Sequence, residues 1–224
     1  MKLTFFNEKE KCGKSTLTLL TAKALAEMLS RTDNQINVYI FDTAHSVKNS
    51  LVAKKNEEQE AIELILIEDK KLYVEYASSF EDFELQEKEL NIKEEDIVFF
   101  DLQEFGEKQL DFISNTNFVF IVSDNPNELE SFDREMYAIL SKLTKNAHLS
   151  SIKKIFLTQN RVSEKEHIIS EFEEVNYLQG MGILIDQYHI ENLKIYQGSI
   201  PKAAQQFAIE VWKEMNNQEK QLII

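Results

Sequence analysis

The chain has 224 residues, 43% of them hydrophobic and 29% charged, which suits one core of ordinary size and excludes wholesale disorder. Five glycines and two prolines fall far below the usual shares of about 7% and 5%, excluding collagen-like or proline-rich linker architecture. The 25 Lys and Arg against 39 Asp and Glu leave a net charge of −14, which argues against a simple DNA coat, since nonspecific nucleic-acid binding normally needs a basic footprint.

Apolar, β-branched or aromatic runs over residues 3–6, 38–41, 72–77, 97–100, 118–122, 155–157 and 182–185 predict strands. Several are continuous rather than alternating, the pattern of parallel strands buried on both faces. Helical periodicity occupies 15–31, with Leu19, Ala22, Ala26 and Leu29 on one face, and then 58–67, 128–143 and 202–215. The acidic stretch 80–95, interleaved with Phe83, Leu85 and Leu90, reads as a solvated helix face. Strand–helix–strand repetition of this kind predicts a doubly wound α/β fold, a mostly parallel sheet with helices on both faces. No linker, composition shift or internal repeat divides the chain, so one domain over residues 1–224 is expected.

A single cysteine, Cys12, excludes an internal disulfide framework and a cysteine-cluster metal site. The four histidines, His45, His148, His167 and His189, are scattered without metal-binding spacing. The apolar runs are too short to span a bilayer, and the N-terminus lacks the pattern of a signal peptide. A cytoplasmic protein without a membrane role is expected. Near the end, Phe207, Val211, Trp212 and Met215 fall near one face of a slightly acidic helix. Membrane-surface helices carry an excess of Lys and Arg, so this helix is expected to pack on the sheet.

The chemistry begins after the first strand, at Asn7-Glu8-Lys9-Glu10-Lys11-Cys12-Gly13-Lys14-Ser15-Thr16. A strand before and a helix after are the context that a phosphate-binding loop requires. Gly13 lets the backbone turn closely around a phosphate, and Lys14 supplies a point charge for the β/γ-phosphates. Ser15 offers a hydroxyl to Mg²⁺, while the amides that open the helix face the anion. The standard loop has glycine six residues before the lysine, and position 8 is Glu.

Residues 7–16 resemble the deviant Walker A loop of the ParA/MinD family of partition and positioning ATPases. Lys9 stands in the place of the family's signature lysine, which reaches across a nucleotide-sandwich dimer to the partner's phosphates. Gly13, Lys14 and Ser15 match as well, with Thr16 following. Glu10 and Lys11 replace two family glycines, and Lys11 either offsets Glu10 or substitutes for Lys9. Cys12 takes the variable position and reads as a small tolerated side chain.

Further along, 38–44 resembles the family's second strand ending in Asp-x-Asp. Asp42 is retained for the Mg²⁺ region, and Ala44 replaces the second Asp, which helps place the attacking water. The strand 96–101 resembles Walker B, making Asp101 the candidate for holding Mg²⁺ through water. The segment 156–162 resembles the one ending in an Asn that contacts adenine, here Asn160. Residues 198–201 then lead into a closing helix, as in the smaller plasmid ParA-like proteins.

The resemblance implies a switch protein in plasmid or chromosome partition or cargo positioning that binds ATP or ADP with Mg²⁺. It also implies a homodimer and a ParB-like or other regulatory partner. Lys9, Lys14 and Asp42 would carry catalysis, and Lys11, Cys12, Gly13, Lys14, Ser15, Thr16 and Asn160 would bind the cofactor. Ser15, Asp42 and Asp101 would serve the metal. The lost glycines and Ala44 imply hydrolysis that is weak or partner-dependent. DNA as a further partner is not supported by the charge, because four lysines from Glu191 onward are matched by four glutamates. Two alternatives remain: a degenerate, non-catalytic interaction module on the same fold, and an ATP-dependent small-molecule enzyme of the same superfamily.

Overall fold

The continuous apolar runs become the strands of one sheet. In the computed structural model the described residues are 1–7, 12–32, 35–44, 66–67, 70–102, 106–123, 138–139, 141–143, 145, 149–162, 184–191 and 202–217. The strands are β1 (Lys2–Phe6), β2 (Val38–Asp42), β3 (Leu66–Ile67), β4 (Lys70–Tyr76), β5 (Ile97–Asp101), β6 (Phe118–Ser123), β7 (Lys154–Val162) and β8 (Leu184–Glu191). Their spatial order is β3-β4-β2-β5-β1-β6-β7-β8. The short β3 pairs antiparallel with β4, and the other described pairings are all parallel. The helices are α1 (Lys14–Ser30), α2 (Phe80–Glu89), α3 (Glu107–Ser114) and α4 (Lys202–Asn217). From β1 the chain passes to β2 on one side, and from β5 it crosses to β6 on the other. That reversal sets a topological switch point at the carboxyl end of β1.

Both faces of the sheet are apolar because both are covered. On one face Phe99, Phe5, Phe120 and Phe156 stack across β5, β1, β6 and β7, with successive ring centroids 5.9, 4.8 and 4.5 Å apart. Phe207 of α4 meets Phe5 and Phe120 edge-on, and Leu17, Leu25 and Leu29 of α1 share the same core. On the opposite face Phe83 of α2 stands edge-on to Phe41 and Phe100, and Phe112 of α3 packs on Phe100. Aromatic pairs of this geometry add about 0.5–1.5 kcal/mol each beyond their burial.

Polar contacts fix the helix ends and edges. Ser79 caps α2 by accepting from the Asp82 amide at 3.2 Å, while the Asp82 carboxylate accepts from the Ser78 amide at 2.9 Å. Donation from the Ser78 amide first, and then from Gln86 Nε2, holds the Asp82 carboxyl below its ordinary value. Lys154 of β7 is 8% exposed. Its Nζ donates to Glu214 Oε2 of α4 at 2.9 Å and sits 5.0 Å from the centre of the Phe156 ring.

The expected strands are present among the described residues, with two extended: β7 continues past Asn160 to Val162, and β8 runs from Leu184 to Glu191, residues 182–183 lying outside the described residues. The expected helix over 58–67 is corrected at its end, where Leu66–Ile67 pairs with β4 as a strand; residues 58–65 lie outside the described residues. Of the helix expected over 128–143, residues 138–139 and 141–143 are helical, and 128–137 and 140 lie outside the described residues. The acidic stretch is helical only to Glu89, and α3 has no counterpart in the sequence reading. In the closing helix, Phe207, Val211 and Met215 are buried and Trp212 packs against them, as its apolar face requires. Residues 218–224 are outside the described set. Among the described residues no helix is long and apolar enough to cross a membrane.

Tyr39 supplies a pH test of this core. It is 5% exposed and stacks on Tyr73 at 4.8 Å; burial first, then the charge of Asp96, raises its hydroxyl to about 12. The folded state therefore keeps a proton that the unfolded chain releases near pH 10, so stability falls as pH rises from about 10 to 12. Tyr39→Phe should remove up to about 2 kcal/mol of that alkaline loss. Urea titrations of both proteins across this range would show it, and parallel pH curves would refute the assignment.

Candidate functional site

Parallel strands carry all their carboxyl ends to one rim. Register fixes which residues meet there: Asp42 of β2 lies opposite Asp101 of β5, and Asp101 lies opposite Phe5 of β1. Side chains alternate along a strand. Ile40 and Phe99 enter the core that α1 covers, so Asp42 and Asp101, each two residues further, fall on the α1 face as well. Both acids are buried, at 1% and 0% exposure.

β1 ends at Phe6, and Asn7 follows with its side chain fully buried. Its Nδ2 donates to the carbonyl of Val122 on β6 at 2.6 Å, pinning the start of the loop to the strand beyond the switch point. The chain enters α1 through Gly13, which has φ 89° and ψ 15°. That left-handed conformation is one that glycine adopts without a side-chain clash. The Gly13 carbonyl accepts the Leu17 amide at 2.9 Å, and the first turn of a helix directs its N–H groups out of its N-terminus. Lys14 is 5% exposed, and its Nζ lies 3.8 Å from the Cys12 sulfur. Ser15 and Thr16 are half-buried in the same turn.

Across the rim, the turn after β2 binds both acids. The Ala44 amide donates to Asp42 Oδ1 at 3.0 Å. Thr43 donates twice to the backbone carbonyl of Asp101, from its amide at 3.2 Å and from Oγ1 at 3.0 Å. Ala44 itself is exposed.

Gly13, Lys14, Ser15, Asp42 and Asp101 therefore share one end of the sheet, with Cys12 and Thr16 beside them. Lys9 and Lys11 lie outside the described residues. Asn160 lies within β7 rather than at its end, and its side chain is outside the described set. Sequence reasoning gave no role to Asn7 or Thr43. A polar residue directly after an apolar strand is the signal that marks both, and its partner is visible only once the strand order is known.

Among the described residues no group of three or more His, Cys, Asp or Glu side chains is arranged to hold a metal ion. A Mg²⁺ site does not need one, because Mg²⁺ is usually held by one or two carboxylates plus substrate phosphates and water. A hydroxyl on Ser15 and carboxylates on Asp42 and Asp101 are hard oxygen donors of the right kind, and two buried acids on one face suit a cation.

No family model matches the chain, and no curated protein matches it. Solved structures do. ParA of pNOB8, bound to nonspecific DNA, is similar at 15% identity and a TM-score of 0.57, with 96% of this chain and 98% of that chain covered. The MinD septum site-determining protein of Pyrococcus horikoshii OT3, complexed with Mg-ADP, is similar at 18% identity and TM-score 0.53, covering 96% and 97%. A plasmid partition protein of Borrelia burgdorferi B31 bound to AMPPNP is similar at 15% identity and TM-score 0.51, covering 96% and 98%. At such identities the likeness shows the fold.

The loop geometry generates its own test. Gly13→Ala should destabilise the protein by about 1 kcal/mol, the penalty of a Cβ in the left-handed region. Urea denaturation reads the change, and a variant as stable as wild type would mean that the left-handed turn is not required.

Proposed function

Because the chain has the ParA/MinD fold, we propose that it is a nucleotide-binding switch protein of the ParA type. It acts as one unit over residues 1–224, in plasmid or chromosome partition or in cargo positioning. One observation carries the reading: a left-handed glycine turn delivers Lys14 and Ser15 to the rim where Asp42 and Asp101 stand in register. The nucleotide-bound and DNA-bound complexes among the structural neighbours support it.

In this reading the Lys14 ammonium and the first-turn amides of α1 bind the phosphates. Ser15, Asp42 and Asp101 hold Mg²⁺, which when bound neutralises charge on the transferring phosphoryl group. Lys9 serves the phosphates of a second copy in a homodimer, with Lys11, Cys12 and Thr16 lining the loop and Asn160 contacting adenine. Phosphoryl transfer depends on positioning, and Ala44 carries no carboxylate to orient water. Hydrolysis is therefore weak or dependent on a ParB-like or other regulatory partner. The charge of −14 disfavours DNA as the surface it works on. Glu10, Lys11 and Ala44 favour one second reading, a non-catalytic interaction module on the same fold.

Equilibrium binding of Mg²⁺-ATP distinguishes the two. The switch reading expects micromolar binding that Lys14→Ala abolishes; unchanged affinity in the variant would remove Lys14 from the site. No binding by the wild type at millimolar ATP would favour the interaction module. Where binding is found, Ala44→Asp should raise turnover by roughly tenfold or more, the scale on which a positioned proton acceptor acts. Steady-state phosphate release measures it, and no gain would place the defect in the loop.

A further inference from the structure

We propose that Thr43 is a positioning residue for the metal-binding carboxylates, an inference that rests on the nucleotide–Mg²⁺ reading above. β2 ends at Asp42, so Thr43 is the first residue past the strand, where a parallel ladder would otherwise begin to fray. Its amide and its Oγ1 both donate to one acceptor, the backbone carbonyl of Asp101, at 3.2 and 3.0 Å. The amide contact is what any residue could supply here. The hydroxyl contact requires Thr or Ser, and a β-branched residue is stiff at χ1, which holds Oγ1 in place.

The next residue completes the arrangement. The Ala44 amide donates to Asp42 Oδ1 at 3.0 Å. The segment 42–44 thus fixes Asp42 through its carboxylate and Asp101 through its backbone, on adjacent strands in register. Asp101 is fully buried, and holding its backbone carbonyl fixes the point from which its side chain leaves the strand. A shift of the Asp101 carbonyl would turn its carboxylate relative to that of Asp42. Thr43 is only half-buried, so its hydroxyl can be removed without opening the core.

The test compares ATP affinity of the full chain in Mg²⁺ and in EDTA, for wild type, Thr43→Val and Thr43→Ser. Thr43→Val keeps the volume and the β-branch and removes the hydroxyl. It should weaken binding in Mg²⁺ by roughly threefold to tenfold, the worth of one neutral hydrogen bond, and leave binding in EDTA unchanged. Thr43→Ser should recover most of the loss. Equal weakening in both conditions, or no change in either, would overturn the positioning role while leaving the nucleotide site standing. ATP binding by the wild type that ignores Mg²⁺ would also overturn it. Failure of the wild type to bind ATP at all would overturn the underlying reading and this proposal together. Melting temperatures of the three proteins separate a folding defect from a lost metal contribution.

Discussion

A strand that pairs parallel to its neighbour cannot return through a tight turn; it needs a crossover long enough to carry the chain back to the same end of the sheet. Most of this structure follows from that constraint. The crossovers are where α1, α2 and α3 form, and they cover both faces, so the strands between them are apolar on both sides. The same constraint gathers every parallel carboxyl end at one rim. β1 lies in the interior of the order and the chain leaves it in opposite directions, so the carboxyl end of β1 is the switch point of the sheet.

The rim is assembled from groups that lie far apart in the chain. Asn7 is tied to Val122 and Thr43 to Asp101, so the loop after β1 and the turn after β2 are each anchored to a strand on the far side of a crossover. The anchors are short and buried or half-buried, where a hydrogen bond is harder for water to replace. Lys14 is itself nearly buried, which restricts the positions that its ammonium can reach. The described part of the rim is thus held by hydrogen bonds within the protein itself.

The fold was legible because its strongest signals are long and redundant. Runs such as Ile-Val-Phe-Phe at 97–100 and Phe-Val-Phe-Ile-Val at 118–122 admit few alternatives, and α1 and α4 have enough turns for their periodicity to register. α3 leaves little trace because eight residues span barely two turns, and at 66–67 an apolar pair carries no period that separates strand from helix. At the candidate site, the placement of Gly13, Lys14, Ser15, Asp42 and Asp101 at one end of the sheet is legible from residue type and from the element each one ends or begins. The roles of Asn7 and Thr43 were not, since each depends on a partner 115 or 58 residues away. The missing carboxylate at position 44 was legible as an absence, but the use of the Ala44 backbone to hold Asp42 was not.

The pair formed by Lys154 and Glu214 has a consequence for how the sequence can drift. A nearly buried ammonium is tolerable on β7 because α4 brings a carboxylate to 2.9 Å and Phe156 offers its ring. Losing the glutamate alone would take an ion pair from a nearly buried lysine, and losing the lysine alone would take it from a partly buried carboxylate. Replacing both with apolar residues is the change the core tolerates best. Positions 154 and 214 should therefore covary across related chains, marking the docking of the last helix where overall identity has faded.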